Sequence, residues 1–406
     1  MSFETLSFKT FADLNADNKT VLLRADLNVP MQEGKVSDTT RLDRIIPTIR
    51  ALQEKNARII ILAHFGRPKG KSPEDSLQPV SEVLSDLLKE KVAFISDCIG
   101  DEVKKKITAI QPREVAVLEN VRYYEEEEKN DSNFARQLAA LGDIYVNDAF
   151  SASHRAHASI EGLAKLLPAY AGLLMEEELN ALQNALENPK RPTAAIIGGS
   201  KVSTKLSVLN NLVQKVDYLI LGGGMANTFL ITQGIEVGKS LCEHNMIDEA
   251  KKIMATAEKS GCKILLPVDR IAVKEFGKGV PYETVATEAL PADMEAVDIG
   301  PATIEKLRGI LATCKTVLWN GPMGVFEVKP FDNGTNGLAQ AVAELTQNGT
   351  LISVGGGGDT VLALERAGVA DKFSYLSSAG GAFLEWLEGK NLPGVQALMD
   401  ANKKAA

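Results

Sequence analysis

Long hydrophobic stretches and paired cysteines are both missing from this sequence of 406 residues. The longest apolar runs, such as Ile59–Ala63, are the length of a strand and fall far short of the roughly 18 residues that span a bilayer. The N-terminal ten residues carry an early acid and lack the apolar region of a signal peptide. The four cysteines lie far apart without a C-x-x-C pair, which disfavours a disulfide framework and a zinc ribbon. We therefore expect a protein of a reducing compartment, the cytoplasm.

Two familiar nucleotide-binding fingerprints are missing as well. No G-x-G-x-x-G stretch occurs, which disfavours a Rossmann dinucleotide site and an NAD-dependent oxidoreductase. Gly66–Ser72 and Gly234–Ser240 resemble a P-loop, but each is one residue short of the G-x-x-x-x-G-K-[ST] spacing. A nucleotide site in this chain would have to be built in another way.

Positive charge is scarce overall and unevenly placed. The formal net charge of −8 argues against a non-specific binder of nucleic acid or of a membrane surface. Ten of the fourteen arginines nevertheless lie at or before Arg155, and arginine grips carboxylates and phosphates with a planar fork. The first half is therefore predicted to bind a small anion. The alternative, a solvated helix surface, is favoured for Arg44, Arg50, Arg58 and Arg136.

Short apolar runs alternate with amphipathic segments from end to end, which predicts an α/β fold with mostly parallel sheets. The strands predicted in the first half are Val21–Leu23, Ile59–Ala63, Val92–Ile95, Val115–Leu118 and Ile144–Val146. The helices predicted between them are Thr39–Lys55, Pro79–Glu90, Glu102–Ile107 and Asn133–Leu141. The strands predicted in the second half are Ala194–Ile197, Tyr218–Leu221, Lys263–Pro267, Thr316–Trp319, Leu351–Val354 and Phe373–Leu376.

A helical segment, Met175–Glu187, is followed by two prolines three residues apart, Pro189 and Pro192, which end a helix and stiffen the chain. We expect two doubly wound, Rossmann-like domains, 1–172 and 191–390, joined by a helix at 173–190 and separated by a cleft. The short acidic run Glu125–Glu128 is expected to lie on a solvated face.

Three strand–glycine–helix junctions mark the second half. At the first, Gly198–Lys205, a helix is expected to start near Ser200 and to carry Lys201 and Lys205 on one face; two surface lysines are the alternative. The second, Gly222–Gly224, suits either a flat ligand or a plain tight turn. The third, Gly355–Thr360, offers backbone N–H groups to phosphate and a carboxylate, Asp359, to Mg²⁺.

The first half places arginines in loops that follow predicted strands, where ligands of open α/β sheets bind. These loops are Arg24–Pro30, His64–Pro68, Glu119–Arg122 and Asn147–His157. Asp26, Asn28 and Asn147 add groups suited to hydroxyls, so the pattern indicates a polyhydroxylated or a hydroxy-acid anion bound by several arginines. His64 and His154 are equally well explained as hydrogen-bonded structural residues.

Ten motifs in order make the chain resemble the phosphoglycerate kinase family, in its bacterial form, over essentially its whole length. They are Val21–Pro30, Ala63–Pro68, Leu118–Arg122, Asn147–His157, Gly198–Leu206, Gly222–Asn227, Asp298–Thr303, Trp319–Glu327, Gly356–Thr360 and Gly380–Lys390. One departure is Ala379, where many relatives have glycine.

The resemblance implies reversible phosphoryl transfer from 1,3-bisphosphoglycerate to Mg·ADP, giving 3-phosphoglycerate and ATP. It implies that the C-terminal segment 391–406 folds back on the first domain and that the protein is a monomer. The implied glycerate ligands are Asp26, Asn28, Arg41, His64, Arg67, Arg122 and Arg155. The implied nucleotide ligands are Gly198, Gly199, Lys205, Gly223, Glu327, Gly357, Gly358, Asp359 and Thr360, with Asp359 beside the metal.

The residue inventory agrees with that chemistry. In the direction that consumes ATP the nucleophile is a carboxylate, which is already ionised, so no general base is needed. Catalysis should consist of positioning and charge neutralisation. The residues expected to neutralise charge are Arg41, Lys201 and Lys205, with backbone donors at Gly380 and Gly381. The main alternative is a two-domain protein that closes on an anion without chemistry, and a coupled assay for ATP formation separates the two.

Overall fold

The computed structural model of the chain describes residues 7–377 and 379–403. The described residues form two compact units, one running to Asn180 and including the segment from Asn391, the other spanning Ala181–Lys390. Each unit contains a six-stranded parallel sheet with helices between the strands. The predicted α/β class with two parallel sheets is confirmed.

The first unit is built on strands buried on both faces, as parallel strands covered by helices should be. Its elements are β1 (Thr20–Arg24), β2 (Met31–Gln32), β3 (Lys35–Val36), α1 (Thr40–Glu54), β4 (Arg58–Leu62), α2 (Gln78–Leu88), β5 (Val92–Ile95), α3 (Asp101–Thr108), β6 (Val115–Leu118), α4 (Glu125–Glu128), α5 (Ser132–Ala139), β7 (Ile144–Asn147), α6 (Leu163–Leu166), β8 (Ala169–Ala171) and α7 (Leu173–Leu182), which crosses into the second unit.

The sheet order of the first unit is β5-β6-β4-β1-β7-β8. The chain leaves β1 towards β4 on one side of the sheet and leaves β7 towards β8 on the other. The carboxyl ends of β1 and β7 therefore flank the point at which the winding reverses, where open α/β sheets hold their ligands. β8 was not predicted, because Ala169–Ala171 is only three residues long.

The second unit has the same plan. Its elements are β9 (Thr193–Ile197), α8 (Leu206–Leu212), β10 (Tyr218–Leu221), α9 (Gly223–Thr232), α10 (Ile247–Ser260), β11 (Lys263–Leu265), β12 (Asp269–Val273), β13 (Tyr282–Ala286), β14 (Glu295–Ile299), α11 (Pro301–Leu311), β15 (Thr316–Asn320), α12 (Asn333–Gln347), β16 (Ile352–Gly356), α13 (Gly358–Arg366), β17 (Tyr375–Ser377) and α14 (Gly380–Leu387).

The parallel sheet of the second unit has the order β11-β10-β9-β15-β16-β17, so its winding reverses between β9 and β15. A separate antiparallel sheet of three strands, β13-β12-β14, was not predicted. The core on one side of the parallel sheet contains Trp319 from β15, Leu338 from α12 and Phe373. Among the described residues, no helix combines the length and the apolar character that crossing a membrane requires.

The C-terminal segment belongs to the first unit. It forms α15 (Pro393–Lys403), which packs against α6. The Gly394 N–H donates to the Ser153 carbonyl at 2.9 Å, and a Cβ at Gly394 would lie 2.8 Å from side-chain atoms of Ser153 and Ile160. Glycine at this position therefore lets the helix start close to the loop that follows β7. Residues 404–406 of the expected tail and residues 1–6 of the expected first domain lie outside the described residues.

Candidate functional site

Four residues of the first unit meet beyond the carboxyl ends of β1 and β7. The Asp26 carboxylate accepts hydrogen bonds from the Arg41 guanidinium at 2.6 Å, from the Ser151 hydroxyl and from the Asn28 backbone N–H at 3.0 Å. Arg41 lies in the first turn of α1, which carries its side chain to Asp26. About a third of the Arg41 side chain remains exposed (36%), so it can still contact a ligand. The predicted residues Asp26, Asn28 and Arg41 are thus brought together.

A second group of basic side chains surrounds His64, which lies just beyond β4. Burial lowers the pKa of the His64 imidazole well below its ordinary value, and the positive charges of Arg24, Arg122 and Arg155, together with His157, lower that pKa further. Burial also lowers the pKa of His157, to about 4. Both imidazoles are therefore neutral at physiological pH, while the arginines keep their charge. The cluster presents concentrated positive charge, as an anion site requires.

Two predicted arginines of this region are held differently. Arg122 is buried; its Nη1 donates to the Gly66 carbonyl at 2.8 Å, and its Nε lies 3.2 Å from the Glu128 carboxylate. Burial lowers the pKa of the Arg122 guanidinium, although Glu128 opposes the shift. Arg67 follows Gly66 in the same loop and is exposed. The structure therefore fixes Arg122 and leaves Arg67 open to solvent.

The expectation of a solvated acidic face is wrong for one of its four members. Glu127 in α4 is fully buried, and its carboxylate accepts hydrogen bonds from the Ser159 N–H at 2.8 Å and the Ser159 hydroxyl at 2.6 Å. Ser159 belongs to a π-helical turn, Ala158–Gly162, that brings both donors to the carboxylate. Four consecutive acids carry no periodicity, so nothing in the pattern indicates that one of them points inward.

The glycines of the second unit allow close backbone approach where its winding reverses. A Cβ on Gly198, just after β9, would lie 1.8 Å from the Pro322 carbonyl oxygen. Gly199 has a φ of +140° and Gly223 a φ of +69°, and a Cβ on Gly223 would lie 2.5 Å from the Gly199 carbonyl oxygen. A larger residue at Gly198 or Gly223 would displace backbone, whereas at Gly199 it is the positive φ that favours glycine.

Lys205 lies at this same point. Its ammonium group donates to the carbonyls of Gly198 at 2.9 Å and of Asn320 at 3.1 Å, and also to the Asn320 side-chain oxygen. Burial lowers the pKa of Lys205 to about 8, while the Asp359 carboxylate acts in the opposite direction. A partly desolvated ammonium group beside glycine backbone is suited to an anionic ligand.

The expected helix start near Ser200 is wrong. A short 3-10 turn covers Ser203–Lys205, α8 begins only at Leu206, and Lys201 precedes both elements in an exposed loop. In this segment Val202 is fully buried, and the Ser203 N–H donates to the Glu243 carboxylate at 2.9 Å, so the chain is held by contacts outside a helix directly after the glycines. Lys201 and Lys205 therefore do not share one helix face.

The N-termini of two helices lie close together beyond β16 and β17. α13 begins at Gly358 and α14 at Gly380, and a Cβ built on Gly380 would lie 3.8 Å from the Gly358 nitrogen. Asp359 is exposed in the first turn of α13. Thr360 is buried, and its hydroxyl accepts a hydrogen bond from the Gly321 N–H at 2.8 Å. The N-termini of α13 and α14 therefore direct backbone N–H groups, and the partial positive charge of each helix dipole, to the same region beyond β16 and β17.

A cavity of about 480 Å³ lies within the second unit. Its walls combine backbone and apolar surface with four carboxylate side chains, those of Glu295, Asp298, Glu327 and Asp359, and include Gly199, Gly223, Leu241, Phe276 and Val297. Of the predicted nucleotide ligands, Gly199, Gly223, Glu327 and Asp359 line this cavity. Gly198, Lys205, Gly357, Gly358 and Thr360 are not among its lining residues, although Lys205 and Thr360 contact the adjoining segment at Asn320 and Gly321.

The donor set at Asp359 fits Mg²⁺ only as a partner of a bound nucleotide. In the described part of the chain, no three His, Cys, Asp or Glu side chains converge as a metal cage. Mg²⁺ is ordinarily held by one or two carboxylates together with phosphate oxygens and water. An exposed carboxylate beside two helix N-termini matches that mode of binding.

Sequence reasoning missed two residues that organise these sites. Arg24 was interpreted as one of the loop arginines, but it is 1% exposed and hydrogen-bonded to Ser159 and His64. Asn320 ends β15 and links Lys205 to the glycines at the end of β16. Its side-chain oxygen accepts a hydrogen bond from Lys205, and its side-chain nitrogen donates one to the Gly356 carbonyl at 2.7 Å. A polar residue at the carboxyl end of an apolar strand was the available signal in both cases.

Comparison with known proteins gives one consistent result. The family model for phosphoglycerate kinase matches residues 11–390. Phosphoglycerate kinases of Rhodospirillum centenum and Rhizobium meliloti are 58% and 54% identical to this chain over 394 and 399 residues, covering 97% and 98% of it and the whole of each relative.

Solved structures agree with the sequence relatives. The phosphoglycerate kinase of Coxiella burnetii has a TM-score of 0.91 at 42% identity, with 97% of this chain and 99% of that chain covered. The enzyme of Pyrococcus horikoshii has a TM-score of 0.80 at 32% identity, with 98% and 100% covered. With the fold, the sites and these matches taken together, the chain belongs to the phosphoglycerate kinase family.

Proposed function

We propose that the chain transfers a phosphoryl group reversibly between 1,3-bisphosphoglycerate and ADP, giving 3-phosphoglycerate and ATP, a step of glycolysis. The observation that carries the proposal is that the family match, residues 11–390, includes two sites of different chemistry. One is a cluster of arginines around Asp26 and His64; the other is a glycine-lined cavity beside Lys205.

We assign the glycerate to the first unit. Asp26 and Asn28 are suited to its hydroxyl group, and the arginines to its carboxylate and phosphate. The residues proposed to bind it are Asp26, Asn28, Arg41, His64, Arg67, Arg122 and Arg155. Support comes from the hydrogen bond between Arg41 and Asp26 and from the positive charge around His64.

We assign the nucleotide to the second unit. A cavity of about 480 Å³ lies within the range of small-molecule sites, and its glycine and apolar walls suit a flat base. The phosphates are assigned to the N-termini of α13 and α14 and to Lys205. The residues proposed to act on the nucleotide are Gly198, Gly199, Lys201, Lys205, Gly223, Glu327, Gly357, Gly358, Asp359, Thr360, Gly380 and Gly381.

Chemistry at these sites requires positioning more than proton transfer. The attacking carboxylate of 3-phosphoglycerate is ionised at neutral pH, so the barrier lies in bringing anions together. Arg41, Lys201 and Lys205 are proposed to offset that charge, with backbone N–H groups at Gly380 and Gly381. Because direct transfer requires both substrates in line with water excluded, hinge closure is part of the proposal.

Mg²⁺ is proposed to accompany the nucleotide, held by its phosphates and by Asp359. When bound, the ion neutralises phosphate charge and orients the phosphoryl group. Asp359 supplies the single negative side chain that this role needs, and its position in the first turn of α13 keeps it beside the phosphate-binding N–H groups.

The proposal includes a cytoplasmic monomer that binds neither nucleic acid nor membrane. All four cysteines are free thiols, which suits a reducing compartment. The net charge of −8 does not favour polyanionic partners. Sedimentation of the purified protein measures its oligomeric state.

The activity is tested by an assay that couples 3-phosphoglycerate, ATP and Mg²⁺ to the formation of 1,3-bisphosphoglycerate. Steady turnover that requires all three supports the proposal. A protein that binds 3-phosphoglycerate and ATP in calorimetry but turns over neither would contradict it and favour a binding protein without chemistry.

Replacing Arg67 by alanine should weaken 3-phosphoglycerate binding about 10- to 100-fold, because a fork donor to an anion is lost. Nucleotide affinity should be unchanged, since the two sites are assigned to different units. Calorimetric titration with each ligand measures both effects. Arg136→Ala, which removes another exposed arginine of the first unit, is the control. An equal loss of affinity for both ligands in Arg67→Ala would refute the assignment of the substrates.

Replacing Asp359 by asparagine should lower Mg·nucleotide turnover about 10²-fold, because a charge that offsets the ion is lost while side-chain size is kept. Binding of 3-phosphoglycerate should persist. Rates measured against Mg²⁺ concentration test this, with Asp371→Asn, a second exposed aspartate of the same unit, as the control. If Asp359→Asn keeps the rate and Mg²⁺ dependence of the unmodified protein, Asp359 only supports the start of α13.

A further inference from the structure

Four buried side chains form one hydrogen-bonded chain behind the proposed glycerate site. Glu127 accepts from the Ser159 hydroxyl at 2.6 Å, and Ser159 Oγ accepts from Arg24 Nε at 2.8 Å. Arg24 Nη2 lies 3.0 Å from Nδ1 of His64. Arg24 is 1% exposed, Ser159 and Glu127 are fully buried, and His64 is 9% exposed. The chain therefore runs from a buried carboxylate to the edge of the site.

The direction of the last hydrogen bond follows from the chemistry of arginine. A guanidinium group has donors only and keeps its proton in proteins. The contact between Arg24 Nη2 and His64 Nδ1 can then exist only if Nδ1 is unprotonated and accepts. A neutral imidazole with an unprotonated Nδ1 carries its proton on Nε2.

We propose that Arg24 is a positioning residue that fixes His64 as the Nε2–H tautomer, so that His64 offers a neutral N–H donor to an acceptor oxygen of the phosphoglycerate. The substrate part of this inference rests on the proposed function, whereas the tautomer rests on the geometry alone.

The surroundings of His64 keep its imidazole neutral. The charged and titratable groups that act on it are Arg24 from β1, Arg122 from the turn after β6, and Arg155 and His157 from the loop after β7. All of them disfavour the protonated, positively charged form of the ring. His64 is then neither a cation that pairs with the anion nor a base that takes a proton from it. Its remaining polar atom, Nε2, has no hydrogen-bond partner among the described residues.

Arg24 is itself held in place so that it can orient the ring. Its Nε donates to Ser159 in the π-helical turn, and its Nη1 donates to the Ala25 carbonyl. The Ser159 hydroxyl in turn donates a hydrogen bond to Glu127, whose nearby carboxylate lowers the cost of burying the guanidinium charge. These hydrogen bonds hold the Arg24 side chain, and that side chain fixes the tautomer of His64.

The tautomer is tested in the unmodified protein by nitrogen-15 NMR after histidine labelling. The chain has four histidines, and a His64→Gln variant identifies the signals of His64 by their loss. We expect Nδ1 of His64 to show the shift of an unprotonated nitrogen and Nε2 that of a protonated one. A protonated Nδ1, or shifts averaged between the two tautomers, would overturn the inference whatever the protein catalyses.

Addition of 3-phosphoglycerate separates this inference from the proposed function. We expect the ligand to shift the Nε2–H signal of His64 while the tautomer stays the same. If the tautomer is as expected but saturating 3-phosphoglycerate leaves that signal unmoved, the donor role towards substrate is overturned and the role of Arg24 stands.

The positioning role of Arg24 is tested with Arg24→Met, which keeps much of the side-chain volume and removes the donors. We expect averaged tautomer shifts for His64 and a KM for 3-phosphoglycerate raised about 10- to 100-fold, since partners that orient a functional imidazole contribute on that order. The KM for ATP should not change. Arg58→Met, at the opposite end of the neighbouring strand β4, is the matched control and should change none of these values. An unaltered His64 spectrum in folded Arg24→Met would refute the role of Arg24.

Discussion

Replacing Arg41 by alanine should lower kcat by about 10³-fold, should weaken 3-phosphoglycerate binding far less than that, and should leave the affinity for ATP nearly unchanged. The reason is that Arg41 is expected to contact the phosphoryl group mainly in the transition state. Arg41 is partly exposed in the first turn of α1 and bonds Asp26, so its guanidinium can reach a phosphoryl group that arrives beside the glycerate. An interaction formed mainly in the transition state affects kcat when it is removed and has little effect on binding.

The structure explains why ground-state binding should survive this change. Asp26 keeps hydrogen bonds from the Ser151 hydroxyl and the Asn28 N–H when Arg41 is removed. Its carboxylate therefore stays in place to bind the glycerate hydroxyl. Single-turnover rates and calorimetric titration, measured on the same Arg41→Ala protein, separate the chemical step from binding.

Arg41→Lys should restore little of the lost rate, because an ammonium group keeps the charge but not the planar fork. Arg50→Ala is the matched control, since Arg50 lies near the other end of α1 and bonds Gln53 and the Leu88 carbonyl. It should keep the kcat of the unmodified protein. If Arg41→Ala keeps its kcat and shows only a raised KM for 3-phosphoglycerate, Arg41 is a clamp for the bound substrate.

The two parallel sheets could be predicted because their strands are buried on both faces. Val115–Leu118, for example, is an unbroken apolar run and forms β6 with the predicted bounds. The antiparallel sheet could not be predicted in the same way, because its strands contain charges. Asp269 in β12 is buried, yet its carboxylate accepts N–H groups of Ala302 and Thr303 at the start of α11. Only the folded chain supplies those partners.

The loops that form the two proposed sites show the same limit of prediction from sequence. Sequence reasoning identified Asp26 in a loop after a predicted strand and Lys205 at a strand–glycine–helix junction, whereas Arg41 was named only through the family resemblance. The structure brings Arg41 to Asp26, and it places Lys205 beside Gly198 and Asn320, where the winding of the second sheet reverses. Sequence reasoning also grouped Arg24 with the loop arginines expected to bind a ligand, although Arg24 lies inside the unit and is hydrogen-bonded to His64. An arginine that touches a ligand and one that orients another side chain look alike in a sequence, because burial and hydrogen-bond direction decide between them.

Replacing Lys205 by methionine should lower kcat by about 10²- to 10³-fold and should remove a pH dependence that the unmodified protein shows. The ammonium group donates to the Gly198 and Asn320 carbonyls, so it is held at the edge of the proposed phosphate site. Methionine has a similar length and fills the space, but it supplies no charge and no donor.

The pH dependence follows from the low pKa of Lys205. Burial lowers that pKa to about 8, so the free protein holds a charged Lys205 below pH 8 and increasingly a neutral one above it. Binding of ATP, which carries negative charge on its phosphates, favours the charged form of Lys205. Binding of ATP above pH 8 should therefore take up a proton, and kcat/KM for ATP should fall as the pH rises through about 8. Titration calorimetry in buffers of different ionisation enthalpy measures the proton uptake directly.

Two variants decide whether this limb of the pH profile belongs to Lys205. Lys259→Met removes an exposed lysine in the last turn of α10 and should keep both the rate and the decline above pH 8. Lys205→Met should show a low rate that no longer declines there, because nothing at that position titrates. If Lys205→Met keeps the same alkaline decline, another group controls it, and the phosphate charge must be offset by Lys201 and the N-termini of α13 and α14.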